Sequence, residues 1–131
     1  MQDLSAAIGL SPSPCARRVK LLEEAGVITG YSALLDEGKL GYTISVFVSV
    51  KLKQQTDEAI ERFEAAIREY PEVVDCWLMT GSRDYLMRVA TTSLEGFEQF
   101  LTKKLTKMSV VSSIESALPL RRVKFGFFRA R

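Results

Sequence analysis

Ser13, Arg17 and Lys20 recur at spacings that place them on one side of a helix, with Arg18 at its flank. These residue types suit a nucleic-acid groove: an arginine can reach guanine edges, and a serine hydroxyl can donate or accept. Arg18 and Lys20 can neutralise phosphates. The opposite side carries Cys15, Val19 and Leu22, an apolar face. A solvated basic face would have the same spacing, so this helix alone leaves both readings open. A second chemically suggestive run is Gly81-Ser82-Arg83-Asp84, a turn-forming cluster between two strand-like stretches. An Asp placed there usually closes the turn with its carboxylate.

The absences narrow the chemistry further. The sequence has no His and no Asn, which removes His general bases, His-containing triads, His-ligated metals and N-glycosylation acceptors. Its two cysteines, Cys15 and Cys76, lie far apart without a CxxC spacing, so buried reduced thiols are expected. Carboxylates are scattered, although Glu115 could approach Asp84 in a folded sheet. No catalytic set, metal centre or cofactor is therefore expected, and the chain does not read as an enzyme. Eighteen Lys and Arg against sixteen Asp and Glu leave a net charge of +2, so nucleic-acid binding must come from local placement. The basic end, with Arg121, Arg122, Lys124, Arg129 and Arg131, reads more readily as a solvated tail than as a phosphate contact.

A chain of 131 residues suffices for one core and a small appendage, and 47% hydrophobic with 26% charged residues is a globular composition. Neither a long apolar run nor a signal peptide is seen, so no membrane partner and a cytoplasmic location are expected. Residues 1–31 follow helical spacing. Asp3–Ile8 forms a short capped helix, Gly9 gives a left-handed exit, and Ser11-Pro12 restarts a helix that Gly26 ends, which together make a helix-turn-helix. Leu21 falls between the two faces of its helix. Residues 32–41 read as a connector, and residues 42–131 as a second domain.

In that domain Tyr42, Ile44, Val46, Val48, Val50 and Leu52 alternate with more polar neighbours, as a strand with one buried face requires. Thr56 caps a helix with Ile60, Phe63, Ile67 and Tyr70 on its apolar side, and Pro71 stops it. Val73–Thr80 and Tyr85–Thr91 flank the turn as strands. Thr92 and Glu95 have capping-box spacing for a second helix with Leu94, Phe97, Leu101 and Leu105 inward. Val110–Leu118 is a last main strand, and Val123–Phe128 has the alternation to pair again at an edge. The fold class is α+β: a partial winged helix-turn-helix, then a ferredoxin-like βαββαβ domain whose antiparallel sheet carries both helices on one face. Phe47 and Trp77 on the other face imply that a second subunit covers it.

The stretch LSAAIGLSPSPCARRVKLLEEAGVITGYSALLD, Leu4 to Asp36, closely resembles the DNA-binding signature of the Lrp/AsnC (feast/famine) transcriptional regulators. The distinctive elements are GLSPSPC at Gly9 to Cys15, RRV at Arg17 to Val19 and GVITGY at Gly26 to Tyr31. The rest resembles that family's ligand-binding RAM domain, including GSRDY at Gly81 to Tyr85. The resemblance implies a DNA-binding transcriptional regulator that pairs sheet to sheet as a homodimer and assembles further to tetramers or octamers. A small effector, commonly an amino acid, would bind between subunits. Members carry one more helix before LSAAIGLS, while here only Met1 and Gln2 precede the helix-turn-helix, so weakened operator binding is expected of this chain. The alternative is a stand-alone amino-acid-sensing module.

An amino-acid effector needs an acid for its ammonium, clustered donors for its carboxylate and an apolar wall. Asp84 could accept from the ammonium, and the amides around Gly81, Ser82 and Arg83 could hold the carboxylate, with Gly81 permitting close approach. The resemblance places Leu78, Gly81, Asp84, Leu94, Ala117 and Leu118 near the effector, from more than one subunit.

Overall fold

The computed structural model describes residues 12–127 and 129. The chain divides into two compact units, one through Leu35 and one from Asp36. In the first, helix α1 spans Pro12–Glu24. Proline is tolerated at its first position because no intrahelical partner is lost there. At the other end Gly26 adopts φ +76°, and the amides of Gly26 and Val27 donate to the carbonyls of Glu23 and Leu22 at 3.0 and 2.8 Å. That pair of bonds is a Schellman stop, which satisfies carbonyls the helix leaves open. The Tyr31 hydroxyl donates to Glu23 Oε2 at 3.2 Å and ties the following segment back to α1. The helix expected over Asp3–Ile8, with its Gly9 exit, lies outside the described residues.

The second unit runs β1 (Ile44–Leu52), α2 (Asp57–Glu69), β2 (Val73–Leu78), β3 (Tyr85–Thr91), α3 (Leu94–Phe100) and β4 (Val111–Ala117), with a π-helical turn over Leu101–Leu105 after α3. The four strands form one antiparallel sheet in the order β2-β3-β1-β4, the ferredoxin-like topology. Val46, Val48, Val50 and Leu52 alternate inward on β1, and Tyr85, Met87 and Val89 do so on β3. They pack with Phe63 and Ile67 of α2, with Phe97 and Phe100 of α3, and with Leu105. Phe63 and Tyr85 have ring centroids 4.5 Å apart, and the Tyr85 hydroxyl donates to Glu64 at 2.6 Å, so a core aromatic keeps its polar end paired. Thr56 caps α2 by accepting from the Ala59 amide, and Glu64–Arg68 closes as an i,i+4 pair at 3.3 Å.

Three local expectations change. Ser93, not Thr92, caps α3: its hydroxyl accepts from the Gly96 amide at 3.0 Å, because β3 runs on through Thr91 and delays the helix. Leu94 consequently stays exposed, and Phe100 takes the inward place. The wider π turn, marked by the Thr106 amide donating to the Leu101 carbonyl at 2.9 Å, then brings Leu105 back into the core. Finally, Val123–Phe127 forms no strand. Pro119 interrupts the ladder after Ala117, and Phe125 and Phe127 instead pack edge to face at 4.6 Å, with Arg122 over the Phe125 ring. Phe128 lies outside the described residues. No helix among the described residues is long and apolar enough to cross a membrane.

Candidate functional site

On α1 the side chains of Ser13, Arg17, Arg18 and Lys20 are all exposed, while Cys15 and Val19 are half-buried. Leu21 and Leu22, 59% and 42% exposed, leave the apolar side only partly covered among the described residues. Lys20 lies 4.0 Å from Glu24 in an exposed pair, too weak to hold the lysine away from another anion. The geometry thus presents one hydroxyl and three cations on the open surface of a helix.

The other candidate site grows out of the β2–β3 hairpin. Gly81 has φ +107°, a conformation that L side chains rarely adopt. A Cβ there would meet nothing within 4 Å, so within the fold the glycine answers to the dihedral and leaves open space beside the turn. The turn is tied by the Met79 amide donating to the Asp84 carbonyl at 2.8 Å and by the Asp84 amide donating to the Val50 carbonyl at 2.9 Å. The Asp84 carboxylate reaches the end of β1: its Oδ2 accepts from the Leu52 amide at 2.7 Å and from Gln55 Nε2 at 3.2 Å. The Leu52 bond, helped by Gln55 and by the charges of Lys51 and Arg83, lowers its pKa against a desolvation that pushes the other way.

Arg83 folds over the sheet face that points away from the helices. One terminal nitrogen donates to Ser113 Oγ at 3.0 Å and the other to the Ser49 carbonyl at 3.2 Å. Its Nε is sealed from solvent without an acceptor among the described residues. Lys51, also outward on β1, donates to the Ser82 carbonyl at 3.3 Å. Beside them a cavity of about 330 Å³ is lined by Ser49, Met79, Gly81, Ser82, Arg83 and Leu86, among others. The amides of Gly81, Ser82 and Arg83 donate no hydrogen bond within the described residues. Clustered donors, two cations and an apolar wall therefore meet in one place.

Two similarities bear on this arrangement. Residues 1–29 match a family described as winged helix-turn-helix DNA-binding, and residues 45–127 match the Lrp/AsnC ligand binding domain. The chain belongs to the Lrp/AsnC family. It is 45% identical over 122 residues to the Bkd operon transcriptional regulator of Pseudomonas aeruginosa, covering 93% of this chain and 80% of that one. With the leucine-responsive regulatory protein of Rhizobium meliloti it shares 38% identity over 122 residues, 93% of this chain and 78% of the relative. A crystal structure of a Neisseria meningitidis transcriptional regulator complexed with L-Met superposes with a TM-score of 0.82 at 35% identity, covering 93% of this chain and 79% of that one. The Lrp/AsnC proteins are transcriptional regulators, not enzymes.

Against the effector residues expected of an Lrp/AsnC chain, the structure divides the set. Gly81, Ser82 and Arg83 line the hairpin cavity. Leu78 lines a different one of about 190 Å³, next to Cys76, Glu64 and Tyr85. Leu94 follows the far end of β3, and Ala117 stands opposite Phe47, which in turn pairs with Arg88 toward that same end. From Tyr85 to Thr91 the strand covers roughly 20 Å at about 3.3 Å per residue. A single copy of the domain therefore keeps Leu94 and Leu118 well away from the hairpin. Glu115 faces outward beside Ser49, while the Asp84 carboxylate is turned to Leu52 and Gln55, so the approach of Glu115 to Asp84 that the sequence left open has no support in their partners.

Lys51, Ser49 and Ser113 join the hairpin region without having been anticipated. They sit on outward positions of β1 and β4, and their nearness to Arg83 depends on strand register, which no local pattern encodes. Cys76 departs from expectation too: it is half-buried rather than buried, and partial burial together with the Glu64 charge pushes its thiol up to about 11. On the outward face Trp77 stands opposite Leu86 and Phe47 beside Ala117, with Trp77 46% exposed. Arg88 crosses that face to Glu37 at 2.8 Å and lies 3.9 Å from Asp75.

Proposed function

We propose that this Lrp/AsnC chain binds operator DNA through Ser13, Arg17, Arg18 and Lys20, and that an amino acid held between copies at the hairpin turn adjusts that binding. The effector site is read as the donors of Gly81, Ser82 and Arg83 and the remaining Asp84 oxygen, with Leu78, Leu94, Ala117 and Leu118 contributing from more than one subunit. The observation that carries this reading is the division of those residues between two ends of one sheet: a shared site needs a second chain. Residues 1–31 then act as the DNA-binding segment, 32–41 as the linker and 42–131 as the sensing and assembly domain. The L-Met held by the Neisseria meningitidis regulator makes an amino acid the first effector to try.

The test is fluorescence anisotropy with a duplex from upstream of the chain's own gene, with and without each of the twenty amino acids. Arg17→Ala is expected to weaken sequence-specific binding about 10-fold or more, since one good base contact contributes about 1–3 kcal/mol. At least one amino acid should shift the wild-type curve. A chain that binds this duplex no better than a scrambled one, or whose affinity no amino acid alters, contradicts the proposal.

A further inference from the structure

The sequence assigns an effector carboxylate to backbone amides, yet the structure sets two cationic side chains beside the same turn. Arg83 spreads its guanidinium between Ser113 and the Ser49 carbonyl, and both of those partners are neutral. Its Nε–H has no acceptor among the described residues although it is shut off from solvent. A sealed donor on a charged group is costly unless something accepts from it. Lys51 is held at the turn by the Ser82 carbonyl, again a neutral partner. The ion pairs of the described residues, formed by Lys20, Arg68, Arg88 and Lys104, include neither. Arg83 thus lines the cavity and Lys51 stands at the same turn, neither in a close ion pair; the Asp84 carboxylate, whose charge they feel, is turned to Leu52 and Gln55, while Met79 and Leu86 supply an apolar wall.

We infer that Arg83 and Lys51 grip the effector's carboxylate through their side chains, so that the site selects the free acid of an apolar amino acid over its neutral derivatives. This rests on the hairpin turn being the effector site. A planar guanidinium offers a carboxylate paired donors at fixed geometry, and Lys51 adds a second charge without a directional demand. Met79 and Leu86 receive the ligand's side chain.

Isothermal titration of the full chain with the twenty L-amino acids, and with the α-amide of each one that binds, tests the assignment. The wild-type chain should prefer acid to amide at least tenfold. Arg83→Gln should bring that ratio close to one while keeping the amide's affinity, a change that general loosening of the hairpin would not produce. Lys51→Gln, a partly exposed position that loses only one bond to Ser82, should reduce the ratio severalfold and covers the case in which the arginine variant fails to fold. An acid-to-amide ratio that stays at its wild-type value in Arg83→Gln, or in Lys51→Gln should the arginine variant not fold, overturns the assignment alone. A wild-type chain that takes up none of the twenty overturns the effector site and the assignment with it.

Discussion

The Asp84 carboxylate accepts from the Leu52 amide at 2.7 Å and thereby fastens the hairpin to the end of β1. Because that bond favours the ionised form, the folded pKa lies below the ordinary carboxylate value. A depressed folded pKa contributes stability that is complete above the unfolded pKa of about 3.9 and is lost as pH falls through the folded value. Asp84→Ala is therefore expected to cost about 1 kcal/mol at pH 7, a figure set low because the side chain is substantially solvated. The gap to wild type should narrow in urea melts taken below about pH 4. A gap that holds constant down to pH 3 would mean that charge plays no part. The sequence could identify Asp84 as a turn residue from GSRDY, but not its partner. Leu52 is distant in the chain, and only the β1–β3 register brings the two together.

Elements with a strong period were legible and their ends were not. The alternation from Ile44 to Leu52 and the spacing of Phe63 and Ile67 are set by which side must leave water, so the core could be named before any register was known. Capping depends on where a strand lets go of the chain. Thr91 stays in β3 and donates its hydroxyl to the Ser93 carbonyl at 2.9 Å, which moves the cap one residue beyond the Thr92–Glu95 pattern. Ser93→Ala should accordingly destabilise the domain by about 1 kcal/mol, and Thr92→Ala by much less. Thermal melts of the two variants distinguish them, and equal losses would contradict the observed cap. The π turn escaped for a related reason: a helical template places Leu101 and Leu105 on one stripe, and the wider turn instead buries Phe100 and Leu105 and leaves Leu101 half-exposed.

In the whole molecule, the sheet has one face sealed by helices and one that carries an exposed Trp77 with half-buried Phe47 and Leu86 beside it. Such a row is costly in water and is the usual mark of an interface between copies. The residue types could be read from the sequence, but whether they adjoin depends on strand order. With β2 beside β3 and β3 beside β1, Trp77 meets Leu86, and Phe47 follows two residue pairs along on the same face, between Arg88 and Ala117. Sheet-to-sheet pairing of two copies would bury this row. It would also let residues at opposite ends of one sheet, such as Arg83 and Leu118, contribute to sites made from more than one chain. Replacing Phe47 by Glu sets a charge in the middle of the row. Removing it from water unpaired would cost several kcal/mol, enough to weaken association by two orders of magnitude or more. Sedimentation equilibrium should then find the wild-type chain associated at micromolar concentration and Phe47→Glu as single chains with the far-ultraviolet circular dichroism of a folded domain. Association in the variant as tight as in the wild type would place the contact on another surface.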